Sequence, residues 1–411
     1  MHDVQIKEEL KKKTGISIIN VVDLLIKHAH KLRASDIHID PSPDSVRIRL
    51  RIDGVLQDIF SLPKDIHSEI ISRIKILTGL RTDEHHAAQD GRFRSLGDKD
   101  GIIDIRVSIV PTYYGENAVL RLLTDQSENF TLENIGFSKE NLKKILDALR
   151  KPYGMILATG PTGSGKTTTL YTMIKRLNTK EVSIITIEDP IEYAIEGIEQ
   201  VQINPRTGLT FANGLRSFLR QDPNIIMVGE IRDIETAALA VNTALTGHLL
   251  LSTLHTNDAA TTLPRLLDMK VESYLVASTV NIAIGQRLVR RICPDCKEMY
   301  QPSQEVKNRI KAILNNGSKS VSAILSLESY DLWRGKGCQS CNNTGYQGRL
   351  GIHEVLALDN DVREAILSRA SASDIKKIAI KNGMVGMVED GFLKAKAGLT
   401  TIDEIIRVFY E

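Results

Sequence analysis

The 411-residue sequence has no long hydrophobic run, few aromatic residues and almost no excess of charge of either sign. No stretch approaches the ~18–20 consecutive apolar residues of a membrane span, and the N-terminal segment MHDVQIKEELKKK lacks the apolar core of a secretion signal. A net charge of +2 and an aromatic content of 5% give no case for a dedicated nucleic-acid-binding protein. We therefore expect a cytoplasmic protein that meets a membrane only through a partner.

Cysteine is also scarce, and the four cysteines form two CxxC pairs with 41 residues between them. In a reducing compartment this pattern favours a metal site over disulfides. The pairs supply four thiolates, enough for a closed tetrahedral Zn²⁺ site of the structural type. Thioredoxin-like redox chemistry and an iron–sulfur cluster are the alternatives. The predicted ligands are Cys293, Cys296, Cys338 and Cys341.

The first third of the sequence mixes two periodicities. Residues 17–32 carry apolar side chains at helical spacing, which predicts an amphipathic helix. The run VRIRLRIDGVLQDIF alternates apolar and polar residues around Asp53-Gly54, which predicts a β-hairpin. A helix at 64–80 and strands near 91–96, 101–110 and 117–123 are expected to follow. This mixture indicates an α+β domain, followed by a polar linker.

After a predicted helix at 138–150, apolar strands alternate with helices, which indicates a parallel sheet. Each strand is followed by glycine-rich or polar residues, and the carboxyl ends of parallel strands meet at one edge, where ligands bind. The sequence therefore predicts a ligand site at that edge, and a tail from about 354 to 411 that is mostly amphipathic helix. The predicted strands are Met155–Thr159, Ser183–Glu188, Ile225–Val228 and Leu249–Thr253.

The segment GPTGSGKT follows the first of these strands and precedes a predicted helix, which is the context of a P-loop. Glycines allow backbone N–H groups to approach phosphate oxygens, Lys166 reaches the β- and γ-phosphates, and the Thr167 hydroxyl can bind Mg²⁺. The positive end of the following helix also favours phosphate. The residues predicted to hold ATP here are Gly160, Pro161, Thr162, Gly163, Ser164, Gly165, Lys166, Thr167 and Thr168.

Hydrolysis also needs a carboxylate that orients or deprotonates water. Glu230, at the end of the strand IIMVGE, is the candidate; its alternative role is to cap the helix that follows. A usual Walker B strand has aspartate where this sequence has Gly229, so the acidic support for Mg²⁺ is expected from the segment IEDPIE. That segment contains Glu188, Asp189 and Glu192, of which Glu192 could equally be an ordinary surface carboxylate.

Two histidines flank the fourth predicted strand. His255 lies at its carboxyl end, on the shared edge, and is predicted to contact the γ-phosphate. His248 precedes the strand, and a structural role is as reasonable for it as a functional one.

Several segments occur in the order and near the spacing of a known family. The P-loop, IEDPIE, VGEIRD and TGHLLLSTLHTN precede the CxxC pairs, and ASDIHIDP and DIRVSIVPTYYGE lie upstream. Together they resemble the type II secretion and type IV pilus assembly ATPases, a branch of the secretion-ATPase superfamily. The resemblance extends from about Ser17 to the C-terminus, and the combination of motifs is far more specific than a P-loop alone.

The resemblance implies an α/β fold with a RecA-like P-loop ATPase core, an N-terminal α+β (PAS-like) domain, a small zinc-binding insertion and a C-terminal helical subdomain. The expected divisions are 1–16 (linker), 17–125 (N-terminal domain), 126–137 (linker), 138–290 (ATPase domain), 291–350 (tetracysteine subdomain) and 351–411 (helical subdomain). Family members usually carry a further N-terminal domain that docks on a membrane-associated partner; this sequence begins at what resembles the linker before the second domain.

The resemblance also implies a homo-hexamer that uses ATP and Mg²⁺ to drive domain rotation at the inner face of the cytoplasmic membrane. The expected partner is an inner-membrane platform protein of a pilus or secretion machine. A basic run, Arg287, Arg290 and Arg291, is expected to face solvent or a partner rather than nucleic acid.

Four arginines correspond to family residues that reach phosphates. Arg106 in DIRVS and Arg121 in VLRLL match a pair in the N-terminal domain. Arg216 and Arg220 in GLRSFLRQDP match a second pair, and their spacing of four is expected to place both on one helix face, able to reach a neighbouring subunit. Arginine suits this role because its fixed charge and forked donors match phosphate oxygens. Without the resemblance, each would be interpreted as a surface ion pair.

Three other functions compete with an assembly motor. A pilus-retraction ATPase has the same core, but retraction members generally lack the tetracysteine insertion. A RecA-like nucleic-acid translocase would bind DNA with strong salt dependence. A non-hydrolysing scaffold is disfavoured by Glu230 and by the intact Lys166-Thr167 pair.

Overall fold

The structure, a computed structural model, describes residues 5–6, 8–9, 16–96, 102–123, 130–308 and 332–410. The chain divides into two units, Met1–Asn129 and Phe130–Glu411, which are described separately below. Most of the expected linker at 1–16 and the first part of the one at 126–137 lie outside the described residues.

In its described residues the N-terminal unit combines an antiparallel sheet with helices, as predicted for an α+β domain. Its strands have the order β3-β2-β1-β6-β5-β4, and the hairpin at Asp53-Gly54 joins β2 to β3. The elements are α1 (Ile18–Lys31), β1 (Ala34–Pro41), β2 (Ser45–Ile52), β3 (Val55–Pro63), α2 (His67–Thr78), β4 (Gln89–Leu96), β5 (Ile102–Thr112) and β6 (Gly115–Leu123).

Local sequence explains how the first helix begins and which face it buries. The Ser17 hydroxyl accepts a hydrogen bond from the backbone N–H of Asn20, a typical N-cap contact. Val22, Leu25 and Ile26 recur at helical spacing and are buried in the same apolar core as alternate residues of the sheet. The predicted amphipathic helix is confirmed.

Strand β1 was not predicted, because its segment ASDIHIDP carries carboxylates at buried positions. Asp36 is 6% exposed and forms ion pairs with Arg51 and Arg121, at 3.3 and 3.2 Å. Asp40 is 8% exposed and lies 2.6 Å from Arg49. Buried charges need such partners, and here they come from the neighbouring strands, which the local sequence pattern does not show.

The described residues of the C-terminal unit form a seven-stranded sheet, a two-stranded sheet and several helices. The strands are β7 (Gly154–Thr159), β8 (Ile184–Glu188), β9 (Glu199–Gln202), β10 (Ile225–Val228), β11 (Leu249–Leu254), β12 (Val280–Ile292), β13 (Lys297–Tyr300), β14 (Leu332–Gly335) and β15 (Tyr346–Ala357). The helices are α3 (Lys139–Leu149), α4 (Lys166–Leu177), α5 (Phe211–Phe218), α6 (Ile234–Leu245), α7 (Ala259–Asp268), α8 (Ser273–Thr279), α9 (Asn360–Leu367), α10 (Ala372–Lys381), α11 (Met387–Lys396) and α12 (Ile402–Tyr410). Over the described part of the chain, no helix is both long and apolar enough to cross a membrane.

The large sheet has the order β15-β12-β7-β11-β10-β8-β9. All four predicted strands (β7, β8, β10 and β11) are present and parallel. The predicted parallel sheet is therefore confirmed for these strands, and the sheet also contains β15, which was not predicted and which pairs antiparallel with β12. The sheet is therefore mixed, with one antiparallel edge strand.

Both faces of this sheet are covered, which explains why its central strands are continuously apolar. In β10, Ile226 and Val228 pack in one apolar layer with α5, α6, α7 and α8, whereas Ile225 and Met227 pack in the opposite layer with α3 and α4. This arrangement leaves the carboxyl ends of the parallel strands as the edge at which polar residues collect.

Strands β12 and β15 were not predicted, because in each of them one part is buried and mostly apolar and the other is polar and partly exposed. Residues 280–286 of β12 are buried, whereas the following half contains the basic run, which was interpreted as surface. The expected boundaries at 290/291 and 350/351 fall inside these two strands. The tail is helical only from Asn360 onward, and β15 occupies the first part of what was expected to be helix.

Helices α11 and α12 pack on the outer halves of β12 and β15 through a small apolar cluster and a buried carboxylate. Glu404, 1% exposed, accepts hydrogen bonds from the backbone N–H of Arg290 at 2.8 Å and from its guanidinium at 2.6 Å. Arg407 donates two more, at 2.9 and 2.8 Å. Burial alone would raise the pKa of Glu404, but these bonds outweigh it and lower the pKa to about 2.

Replacement Glu404→Gln should lower the free energy of unfolding at pH 7 by about 1.5–3 kcal/mol, the range for hydrogen bonds to a charged group. A depressed pKa stabilises the fold above the unfolded value of 4.5, and that stability is lost as the pH falls toward about 2. The difference from wild type should therefore shrink over this window. Guanidinium unfolding followed by circular dichroism checks it, with the exposed neighbour Asp403→Asn as control; a constant difference would contradict the assignment.

Candidate nucleotide site and tetracysteine cluster

The phosphate loop connects β7 to α4, as the sequence predicts. Gly160 and Gly165 have φ angles of +147° and +88°, which only glycine adopts readily. Lys166, the first residue of α4, donates hydrogen bonds to the carbonyls of Gly160 at 2.8 Å and Pro161 at 3.1 Å. The loop thus holds its lysine against its own carbonyls, in reach of a phosphate.

The residues of the phosphate loop differ in their exposure to solvent. Lys166 is 9% exposed, and burial lowers the pKa of its ammonium, while the charge of Glu230 opposes that shift and Arg287 adds to it. Thr167 and Thr168 are half-buried in the first turn of α4, whereas the tip of the loop, Pro161, Thr162 and Gly163, is exposed. The open side therefore presents backbone N–H groups and a cation, which suits an anionic ligand.

Glu230 is the centre of a polar cluster at the ends of β10 and β11. It is 8% exposed, and its Oε2 lies 2.9 Å from Nε2 of His255. Arg232 forms an ion pair with the other carboxylate oxygen of Glu230 and lies 3.8 Å from Asp189. The structure thus brings together the strand ends that carry Glu230, His255 and Asp189.

Arg232 was missed in the sequence analysis. It lies two residues after Glu230 in VGEIRD, and in extended chain alternate side chains point the same way. That spacing is the signal that could have identified it as a partner of the carboxylate.

Gly229, the position at which a usual Walker B strand has aspartate, lies where β10 and β8 approach closely. A Cβ at Gly229 would lie 3.3 Å from the Cα of Glu188 and 3.3 Å from the carbonyl oxygen of Ile187. Such a contact is tight, so an aspartate here would require the neighbouring backbone to shift.

Glu188 is a buried carboxylate, 2% exposed, at the end of β8. Its oxygens accept hydrogen bonds from Tyr171, from Thr186 at 2.6 Å and from Gln200 at 3.1 Å. Burial raises the pKa of Glu188 above its usual value, against the lowering effect of these bonds. Asp189, whose side chain is 36% exposed, is the more accessible carboxylate of this segment.

Two further candidate residues of this unit, Glu192 and His248, make local contacts. Glu192 is half-buried, and its backbone N–H donates to the Tyr171 hydroxyl at 3.3 Å. His248 lies 3.2 Å from the Thr243 carbonyl through Nδ1, a contact within its own turn.

The arginine pair before β10 is not arranged as expected. Helix α5 ends at Phe218, so Arg220 lies in the turn beyond it and does not share a helix face with Arg216. The Arg220 guanidinium instead reaches back to the Arg216 carbonyl, at 3.3 Å. Both arginines are exposed, and Arg216 forms an ion pair with Glu235. The spacing of four was misleading because the helix is only eight residues long.

In the N-terminal unit, Arg106 and Arg121 are direct cross-strand partners on β5 and β6. Arg121 is 59% exposed at its side chain and pairs with Asp36 at 3.2 Å. Two like charges opposite each other on adjacent strands are unfavourable on their own, and the ion pair of Arg121 with Asp36 offsets part of that repulsion.

The four cysteines of the C-terminal unit come together in space. The Sγ atoms of Cys293 and Cys338 are 3.8 Å apart, those of Cys296 and Cys341 are 3.8 Å apart, and those of Cys338 and Cys341 are 3.7 Å apart. All four lie within 4.8 Å of one another. A disulfide would need sulfurs ~2.05 Å apart, so these are free thiols.

The distances fit a single metal ion. Four sulfurs at ~2.3 Å from a tetrahedrally bound Zn²⁺ are ~3.8 Å from each other. A cluster would hold its ligands farther apart, because several iron atoms lie between them. Backbone N–H groups of Cys338 and Gly345 donate to the Cys341 sulfur, at 3.2 and 3.3 Å. Burial raises the pKa of this thiol, but these contacts outweigh it and lower the pKa to about 6.

Comparison with known proteins finds similarity to secretion and pilus assembly proteins. A family model described as "Type II/IV secretion system protein" matches residues 11–407. The type II secretion system protein E of Xanthomonas campestris is 47% identical over 393 residues, which cover 95% of this chain and 67% of that protein. The type IV pilus assembly ATPase PilB of Thermus thermophilus is 45% identical over 387 residues, covering 94% of this chain but only 42% of that protein.

Solved structures agree on the fold. The Legionella pneumophila ATPase DotB has a TM-score of 0.69 at 22% identity and covers 96% of both chains. The pilus retraction motor PilT, solved with bound ADP, has a TM-score of 0.62 at 25% identity and covers 94% of this chain and 96% of that one.

The fold and the site together define a P-loop ATPase of the α/β class. Within that class, the chain belongs to the Type II/IV secretion system protein family, because the family model spans nearly its whole length. This membership confirms the resemblance inferred from the motifs.

Replacement Glu230→Gln tests the carboxylate at the strand ends. The amide keeps the size of the side chain but cannot take a proton from water, so hydrolysis should fall by at least ~10²-fold while ATP binding changes by less than about threefold. Steady-state phosphate release and binding of a fluorescent ATP analogue measure the two effects. Glu140→Gln, an exposed carboxylate of α3, is the control. Unchanged hydrolysis in Glu230→Gln would remove this residue from the role.

Proposed function

We propose that this chain is the motor subunit of a homo-hexameric ATPase that powers type IV pilus assembly or type II protein secretion from the cytoplasmic side of the membrane. The observation that carries the proposal is the cluster of Glu230, His255 and Arg232 at the strand ends. This cluster is close enough to Lys166 for the charge of Glu230 to oppose the lowering of the Lys166 pKa by burial. The names of the relatives supply the biological setting.

The residues of the site divide the work between binding and hydrolysis. The loop amides and Lys166 would hold the β- and γ-phosphates, and Thr167 with Asp189 would support Mg²⁺, which neutralises phosphate charge when bound. Glu230 orients a water molecule and accepts its proton, and His255, held by Glu230, is placed to contact the terminal phosphate. Asp189 suits the support of Mg²⁺ better than Glu188, since both oxygens of Glu188 are engaged inside the fold.

The arginines would complete the site in a ring. Arg216 and Arg220 lie on the surface of the C-terminal unit; on the N-terminal unit Arg121 is exposed, and its cross-strand partner Arg106 is half-buried. Exposed guanidinium groups match the charge that develops on a transferring phosphoryl group. A motor of this type would act on an inner-membrane platform protein, and no nucleic acid is expected as a partner.

We further propose that the cysteine cluster binds zinc. The sulfur–sulfur distances of 3.7–3.8 Å support this metal, and four cysteines leave no open position for catalysis. The cluster also favours an assembly motor over a retraction motor, since retraction ATPases generally lack the insertion that carries it.

Zinc analysis should find ~1 Zn²⁺ per chain, as for a closed Cys₄ site. The only tryptophan in the sequence, Trp333, lies in β14, and its ring is 4.1 Å from the ammonium of Lys297, the residue that follows Cys296. Because metal binding and local folding are linked, a strong chelator should remove the zinc and shift Trp333 emission to the red, and zinc but not magnesium should restore it. Iron in the protein, or no metal, would contradict the assignment.

Mixed rings test whether Arg216 acts on a neighbouring subunit. Neither Arg216→Ala nor Lys166→Ala subunits should hydrolyse ATP alone, but in random equimolar rings ~1/4 of head-to-tail interfaces should have an intact site. A mixture of Glu230→Gln with Lys166→Ala is the matched control, since both changes fall in the same chain's site and no interface is then intact. Equal inactivity of the two mixtures, in rings verified as mixed, would count against action in trans.

A further inference from the structure

We propose that Gln286 is a positioning residue that holds the phosphate loop in its phosphate-binding conformation. It lies in β12, was not singled out by any sequence motif, and is 1% exposed. The proposal rests on the proposed function only in that its ligand is the polyphosphate of a nucleotide. Its basis is the set of contacts between this one side chain and the phosphate loop.

The register of the sheet places Gln286 beside the beginning of the loop. Strand β12 pairs in parallel with β7, and the last pair is Gly285 with Thr159. β7 then gives way to the loop at Gly160, while β12 continues to Gln286. A Cβ at Gly160 would lie 2.5 Å from the Gln286 carbonyl oxygen, so the backbones touch where the loop leaves the sheet.

The side chain of Gln286 reaches the far end of the same loop. Its Nε2 donates a hydrogen bond to the Ser164 carbonyl at 2.7 Å, and a Cβ at Gly165 would lie 3.2 Å from that nitrogen. Only the amide nitrogen can face a carbonyl oxygen favourably, which fixes the orientation of the amide. One residue therefore contacts both ends of the loop, with its backbone and with its side chain.

This bond determines where the next N–H group points. In a planar trans peptide the C=O and N–H directions are opposite. Because the Ser164 oxygen points inward to Gln286, the N–H of Gly165, which belongs to the same peptide, points away from it. An N–H directed to the open side of a P-loop is a donor for phosphate, so Gln286 sets the orientation of a phosphate ligand without touching the phosphate.

Packing alone does not account for an amide at this position. Oε1 of Gln286 is buried and has no hydrogen-bond partner among the described residues. A buried unsatisfied oxygen is destabilising, and an apolar side chain of the same length would avoid that cost. The Nε2 contact is what the amide adds, and its recipient is the peptide that bears the phosphate-binding N–H.

The first test is Gln286→Met, which keeps the length and volume of the side chain but removes the donor. The freed Ser164 carbonyl can then rotate, so the Kd of N-methylanthraniloyl-ATP should rise about tenfold, the equivalent of one lost hydrogen bond. KM should rise with it while kcat changes by less than about threefold, because the loop holds ground state and transition state alike. Gln202→Met, an exposed glutamine of β9, is the matched control.

The second test uses Gln286→Glu, whose effect should depend on pH. As a carboxylate, the new group can only accept, and it would repel the Ser164 carbonyl; once protonated it has an O–H that can donate. Burial raises the pKa of a carboxyl group, so nucleotide affinity should recover at least about tenfold between pH 8.5 and 6. Wild type and Gln202→Met, titrated in parallel, should show a much smaller change.

The outcomes separate this proposal from the proposed function. A Gln286→Met protein with the wild-type Kd, or a Gln286→Glu protein whose affinity follows the wild-type pH profile, would overturn the positioning role. If Gln286→Met does not fold, the Gln286→Glu titration decides alone. A wild-type chain that binds ATP without hydrolysing it would count against the proposed motor and leave the role of Gln286 standing.

Discussion

The parallel pairing of β7, β11, β10 and β8 is the constraint on which the candidate site depends. Parallel strands in register end at the same edge of the sheet. The sheet itself therefore brings together residues more than ninety positions apart in sequence, from Gly160 to His255. Continuous apolar strands make this pairing possible, because both faces of the sheet are covered. Helices on either face then leave only the strand ends for polar chemistry.

Much of this arrangement could be predicted from the sequence, because the signals are local. The four strands are short apolar runs, and the P-loop is defined by contiguous residues. Prediction from the sequence fails where the structure of one segment depends on contacts with a distant segment. Strand β1 carries the carboxylates Asp36 and Asp40, whose burial is tolerated only because arginines of β2 and β6 reach them. No periodicity within ASDIHIDP shows those partners.

The same distinction explains which site residues were found. Glu230 and His255 follow recognisable strands, whereas Gln286 acts on the loop through a sheet register that joins segments 122 residues apart. The expectation that Arg216 and Arg220 share a helix face was wrong for a different reason. A spacing of four is meaningful only while the helix continues, and α5 ends before that residue. The register of strand pairing and the exact end of a helix depend on contacts between distant segments. A single sequence therefore predicts both poorly.

The spacing of the two cysteine pairs has a consequence for how the chain can vary. Closing a loop costs free energy that grows only as the logarithm of its length, ~0.6 kcal/mol for each doubling. The pairs are 41 residues apart in sequence, yet Cys296 and Cys341 lie with their sulfurs 3.8 Å apart. Doubling the segment between β13 and β14 would therefore cost less than a typical hydrogen bond, ~1 kcal/mol. Because the four thiols meet next to β13 and β14, a longer segment between these strands would leave the cysteine cluster intact at a small entropic cost.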